Sequence, residues 1–354
     1  MKIDARKVQR VGYSTLCISL PKDWVKQAGI KPGDIVFTVR LEDGSLKIKP
    51  GLMKEEGEKI SKVVHVESWN EAGLLVRIIV ALYLMGADRI TLVGEQGIQG
   101  DHLDEIRRAL SRLNGFSIVE ETPNKIVIQS FIDPASSSIW NLVKMLHMRI
   151  VHMLELMLMA LEDGSAESLT GVDATEEEID RVYLLSVRQL VLANIRPELR
   201  SKLEINDPSH IPGHRVVLKL LEEIGDSLLA SAKNLEIILK NNPKLSGSDL
   251  GFLRRSTEEI MGIYGKAFDS WINLDILQAN IIINNSNYLS RELRRAAMDI
   301  SNKYIIIAKK GEHEMSLELP FAIKSYLEYL AQAVSLSKAV AESAINRGSM
   351  ELQL

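Results

Sequence analysis

From Pro134 onward the sequence contains no convincing strand, which restricts this part of the chain to helix-on-helix packing. Apolar residues recur at three and four, as in Leu218, Leu221, Ile224, Leu228 and Leu229, so each segment presents one apolar stripe. Stop signals cut the run into six long helices, expected over 139–162, 176–195, 214–240, 249–271, about 274–310 and 320–347. The punctuation is Asp133-Pro134 as N-cap and first helical residue, then Asp163-Gly164, Pro197, Asn242-Pro243, Gly311 and Gly348. Six helices of this length predict an antiparallel bundle.

The six fall into two sets of three, about 134–242 and 248–348. Asp180 corresponds to Tyr288 at a shift of 108, and Glu222 to Glu328 at a shift of 106. Two nearly equal offsets are what a tandem duplication leaves. Within the first set, Glu176 and Asp180 stand four apart, as do Glu222 and Asp226 in LEEIGDSLL. Such pairs share a helix face and repel by roughly 0.2–0.5 kcal/mol unless a cation or basic partner lies between them. In the second set Glu328 is accompanied by Asn284, Tyr288 and Gln332, so if a hard cation binds at all, the first set is the place. The plainer expectation is ordinary ion pairing of the four acids with Arg181, Arg188 or Lys219.

The LEEIGDSLL stretch and the two three-helix sets resemble the PhoU family, over residues 134–354. The resemblance implies iron, zinc or another divalent cation held by Glu176, Asp180, Glu222 and Asp226. It also implies a role in phosphate uptake, with a phosphate ABC transporter ATPase or a phosphate-signalling protein as partner. Ala230 and Lys233 depart from the family motif, which continues with Asn and Glu.

The first fifty residues differ in character. They carry ten Lys+Arg against five Asp+Glu, although the whole chain is at −4, which suggests a basic module on an acidic body. Strands are expected over 16–20, 35–41 and 45–49, with a short helix after Pro21 closed by Gly29. Lys31-Pro32-Gly33-Asp34 reads as a turn and Asp43-Gly44 as a hairpin signal. So few short strands cannot close a core alone, which predicts a dimer. Gly12, Ser19-Leu20-Pro21-Lys22, Trp24, Gly29 and the turn at 31–34 resemble the AbrB/MazE family of swapped-hairpin DNA-binding domains. That resemblance implies a homodimer presenting Arg6, Lys7 and Arg10, with Lys22 and Lys26, to DNA phosphates. The plainer expectation is that these charges are solvated strand edges. Cys17, the only cysteine, lies in the apolar run TLCISL and is expected to be buried.

Residues 51–61 read as a linker. Over 62–133 a small α/β domain is expected, with strands at 63–67, 89–93, 117–121 and 125–129 and helices at 70–85 and 101–113. The last two strands are joined at Thr122-Pro123-Asn124. Gly94, Gly97 and Gly100 between a strand and a helix form a flexible loop, or less simply an anion cradle. The longest apolar stretch, 74–85, is interrupted by Arg77 and is too short to cross a bilayer, so no membrane insertion and a cytoplasmic address are expected. The Glu-x-x-His pairs of di-iron bundles are absent from the long helices, and no enzyme activity is expected. His210 and His214, and His147 and His152, are poorly spaced as ligands. Methionines 145, 148, 153, 157 and 159 read as core packing.

The resulting fold class is multidomain and mainly α. It comprises a swapped-hairpin β domain at 1–50, the small α/β domain, and a PhoU-like six-helix bundle. This layout resembles archaeal-type AbrB–PhoU fusions, and the resemblance implies a DNA-binding transcriptional regulator in phosphate homeostasis. The alternative is an adaptor that docks on a phosphate transporter, with the N-terminal domain only dimerising.

Overall fold

The computed structural model describes residues 4–40, 44–50, 59–134, 136–205, 207–241, 245–309 and 317–349. The chain divides into two compact units, Met1–Lys59 and Ile60–Leu354. The expected stops at Asn242-Pro243 and Gly311 and the Asp43 position lie outside the described residues.

The first unit is two antiparallel hairpins and one short helix. β1 (Gln9–Val11) pairs with β2 (Thr15–Cys17), and β3 (Val36–Arg40) pairs with β4 (Leu46–Pro50). α1 (Lys22–Gln27) lies between the hairpins in sequence, and Gly29 follows it at φ +67. The Lys31–Asp34 turn is closed twice, by Asp34 N–H donating to the Lys31 carbonyl and Lys31 N–H donating to the Asp34 carboxylate. β1 was not expected. Its residues are Gln-Arg-Val and give no apolar alternation, and the hairpin depends on Gly12 at φ +68. The second strand is correspondingly displaced from 16–20 to 15–17. None of the described residues of this unit is buried. Val8, Val11, Tyr13, Leu16, Ile18, Ile35 and Leu46 are all exposed, and Cys17 is exposed rather than buried in a core.

The second unit begins with an α/β layer, β5 (Ser61–His65), α2 (Leu74–Leu84), β6 (Arg89–Val93), α3 (Gly100–Arg112), β7 (Phe116–Thr122) and β8 (Lys125–Ser130). The sheet order is β5-β6-β8-β7, parallel between β5 and β6 and antiparallel elsewhere. Alternate residues Val64, Ile90, Leu92, Ile126 and Ile128 face inward against Leu75, Ile79 and Tyr83 of α2 and Ile106 of α3. α2 starts four residues later than expected, because Gly73 takes the left-handed conformation and Glu105 of α3 accepts from the Gly73 and Val76 amides. Burial pushes the Glu105 carboxyl up, and the amides of Gly73, Val76 and Leu75 more than offset this. In the glycine loop, the amides of Gly94, Gly97 and Ile98 donate to Asn124, Gly94 and Pro123 carbonyls. The Gly94 and Ile98 amides hold the β7–β8 turn and the Gly97 amide closes its own loop, so these three N–H groups do not form an anion cradle.

Six long helices follow: α4 (Ile139–Asp163), α5 (Val172–Ile195), α6 (Ile211–Lys240), α7 (Gly247–Asn273), α8 (Ile276–Lys309) and α9 (Glu318–Ser349). Their starts pair as Ile139 with Gly247, Val172 with Ile276 and Ile211 with Glu318, shifts of 108, 104 and 107 residues. α4, α5 and α6 each touch the other two, as do α7, α8 and α9, and the sets join through α6 on α9 and α4 on α7. One start signal and one stop signal are corrected. Ser138, not Asp133, caps α4, its Oγ accepting from the Asn141 amide. Gly348 lies inside α9, where a Cβ would meet Ile276 at 2.9 Å, so it permits close packing rather than ending the helix.

Arg188 of α5 ties this helical body to the α/β layer. It is buried, its Nη1 donates to the carbonyls of Tyr83 and Ala87 at 2.7 Å each, and its Nη2 reaches Asp88 at 3.3 Å. Its guanidinium lies over the Tyr83 and Phe116 rings. The carbonyls at the end of α2 therefore find a cationic cap from another element. No helix of the described residues is long and apolar enough to cross a membrane.

Candidate metal centre and nucleic-acid interface

α5 and α6 approach closely at Gly225, where a Cβ would stand 3.0 Å from Ile179 Cδ1. A larger residue would push the helices apart at the level of the acids. With glycine there, Asp226 of α6 meets Glu176 and Asp180 of α5, and one oxygen from each lies within 4.8 Å of the others. The fourth acid is placed differently. Glu222 is buried and accepts from Lys219 Nζ at 2.5 Å, while the same lysine reaches Glu223 at 2.9 Å. Three of the four expected ligands thus converge, and Glu222 has the lysine partner that the plainer reading offered it. Arg181 instead pairs with Glu177, and Arg188 serves α2.

Of the three acids only Asp180 has a cation within ion-pair distance among the described residues. Asp180 pairs with Arg112 of α3 at 2.7 Å, and the Lys219 charge also acts on Asp226. Burial, the charges of Asp180 and Asp226, and a hydrogen bond with Asp226 push the Glu176 carboxyl up to about 7. Burial and the Asp180 charge push Asp226 up, against a hydrogen bond from Glu176. Glu222 is raised by burial while Lys219 pulls it down. Glu176, hydrogen-bonded to Asp226, therefore holds its proton more tightly than an ordinary glutamate, and a cation that enters must displace it. The donor set is three carboxylates with one exposed side, which fits a hard, oxygen-preferring cation that retains waters. Zinc prefers nitrogen and sulfur, and no histidine or cysteine joins the cluster among the described residues.

The corresponding face of the second set has no such cluster among the described residues. Glu328 pairs with Lys324 at 3.7 Å, and Asn284, Tyr288 and Gln332 are exposed. The histidines have structural surroundings: His147 stacks on Phe268 and hydrogen-bonds Tyr264, and His214 is buried with Nδ1 2.8 Å from the His210 carbonyl. Met153 and Met157 are core residues, whereas Met145, Met148 and Met159 are exposed, contrary to the expectation that all five pack inside.

In the first unit, Arg6, Lys7 and Arg10 are exposed on and just before β1, with Arg6 paired to Asp4 at 2.5 Å. Arg10 is opposite Leu16 in the hairpin register. Lys22 and Lys26 stand one turn apart on α1 and, with Leu20, Val25 and Ile30, line a shallow hollow of about 470 Å³. Phosphate contact requires exposed cations on long side chains, and all five residues meet that condition.

Residues 9–55 match the family model of the MazE bacterial antitoxin, described as antidote-toxin recognition. The N-terminal module is MazE/AbrB-like. Neither a curated protein nor a solved structure matches the chain. The match covers both hairpins and α1, and the helical body lies outside it. A MazE/AbrB-like module is consistent with DNA-binding regulation or with dimerisation.

Proposed function

We propose that this protein is a homodimeric, DNA-binding regulator of phosphate uptake, cytoplasmic, whose helical body senses state through a cation or a partner. The observation that carries the reading is the first unit: a MazE-like module with no buried side chain among its described residues and with Arg6, Lys7 and Arg10 exposed. A second copy would cover Val11, Leu16 and Ile18 and would present two sets of cations across a two-fold axis. The phosphate assignment rests on the PhoU-like sequence of α6 and on the paired three-helix sets. In that reading Glu176, Asp180 and Asp226 hold a hard divalent cation or iron, with Glu222 and Lys219 flanking it. Arg112 then links the site to α3, because a cation at Asp180 competes with the guanidinium. Differential affinity of the cation for the two arrangements would bias DNA binding by linkage. The protein acts by binding, without catalysis.

Genomic fragments retained by the full-length protein and then sequenced test this function. Enrichment of segments upstream of phosphate-transport genes is the expected result. Retention of a transporter ATPase without DNA would instead make it a docking adaptor, in which the N-terminal module only dimerises.

A further inference from the structure

The α8–α9 face of the second helical set carries a groove of about 720 Å³ whose charge is opposite to that of the acid cluster. Arg291 and Arg294 of α8 and Lys338 of α9 line it, with Glu342 as the one carboxylate. Among the described residues neither arginine has a carboxylate within ion-pair distance, and Lys338 pairs with Glu342 at 3.5 Å. Hydroxyls complete the lining. Ser290 and Ser335 face each other across the groove at 3.4 Å, and Ser286 is 1% exposed with its Oγ lacking any hydrogen-bond partner. A buried hydroxyl left without a partner in a helix is uncommon, because the preceding turn's carbonyl usually accepts from it.

The groove's chemistry does not come from the fold. At the sequence shifts of 108 and 106, Arg291, Arg294 and Lys338 correspond to Tyr183, Ser186 and Ala232, and at the shifts of 104 and 107 between helix starts to Val187, Leu190 and Ser231. The first set therefore packs the same helix pair without these cations. The same interface has also lost acids, since Asn284, Tyr288 and Gln332 stand where carboxylates occur in the first set. Three cations, the unpartnered Ser286 hydroxyl and one acid leave the groove cationic, whereas Ser335 already donates to the Ala331 carbonyl. Guanidinium forks pair with phosphoryl oxygens through two parallel hydrogen bonds, and a serine hydroxyl adds a neutral donor. The volume lies within the range of small-molecule sites and exceeds what one phosphate fills.

We propose that the α8–α9 groove binds a phosphoryl group, borne by free phosphate, pyrophosphate or a phosphorylated small molecule, with Arg291, Arg294 and Lys338 as its ligands. This site is separate from the acid cluster and from the DNA-facing module, and it does not depend on either being functional.

The test is isothermal titration of the full chain with inorganic phosphate, pyrophosphate and ATP in turn, in 150 mM NaCl, against Arg291→Ala/Arg294→Ala and Arg295→Ala. Arg295 is highly exposed and does not line the groove, so its variant removes a neighbouring charge only. Saturable binding of at least one probe is expected, one per chain, weakened tenfold or more in the double variant and less than twofold in Arg295→Ala. Pyrophosphate as tight as ATP would identify a free oxyanion as the ligand, and tighter ATP a nucleotide. Circular dichroism of the double variant should match the parent, since both side chains are exposed. No binding of any probe at 10 mM, or equal weakening by Arg295→Ala, would overturn the proposal.

Discussion

Glutamine at position 176 keeps the shape of the glutamate and removes its charge. In the cation-free protein, burial and then the charges of Asp180 and Asp226 hold the Glu176 carboxyl up to about 7, against an ordinary value of 4.5. Between these two values the folded protein retains a proton that the unfolded chain has released. Stability therefore falls as pH rises from about 4.5 and is fully lost from this source above about 7. At about 1.36 kcal/mol per unit the gap corresponds to about 3 kcal/mol. The cluster is open to water on the Asp226 side, and screening reduces this to about 1–2 kcal/mol. Asp226 is shifted in the same direction, first by burial and then by Asp180, and adds to the same slope. Glu176→Gln should therefore match the parent near pH 4.5 and exceed it at pH 8 by about 1–2 kcal/mol in EDTA, read by urea unfolding. With Mn²⁺ at a hundred times its Kd the order should reverse, because only the parent gains about 2.7 kcal/mol from binding. A variant less stable than the parent at pH 8 in EDTA, or one with an unchanged pH slope, would refute the reasoning.

Other perturbations address neighbouring parts of the account. Arg112→Ala removes the guanidinium that competes for Asp180. An exposed pair is worth up to about 1 kcal/mol, so Mn²⁺ affinity measured by calorimetry should rise up to about fivefold. Arg188→Ala leaves the Tyr83 and Ala87 carbonyls and part of Asp88 unpaired in the interior, and should cost about 3–5 kcal/mol in urea unfolding. Leu16→Glu places a charge on the exposed apolar hairpin. The full-length protein should sediment as a dimer in the parent and as a monomer in this variant.

The helical half was legible because its signals are local. A 3.6-residue apolar period and Gly or Asp-Gly stops lie within a few residues of the ends they mark, so all six starts fall within about four residues of expectation. Contacts distant in sequence were not legible. Arg112 is 68 residues from Asp180, and Arg188 is about a hundred from the carbonyls it caps, so no local pattern announces either. Glu222 illustrates an intermediate case. Its lysine stands three residues earlier and was readable, but its burial was not, since a four-residue step rotates about 40° around the helix and separates Glu222 from Asp226 in exposure. β1 was missed because a strand with no buried face carries no alternation in hydrophobicity. The exposed state of Cys17 has the same origin: an apolar run in a module this small has no intramolecular core to enter.

The salt dependence of DNA binding tests the central claim most directly. With six phosphates neutralised per dimer by Arg6, Lys7 and Arg10, the slope of log K against log salt should be about −5 for the full-length protein. In Arg6→Ala/Lys7→Ala/Arg10→Ala it should flatten markedly, with Lys22 and Lys26 left as the remaining cations, while the helical body keeps its circular dichroism. An unchanged slope in that variant, or no DNA binding by the parent at 50 mM salt, would contradict the account.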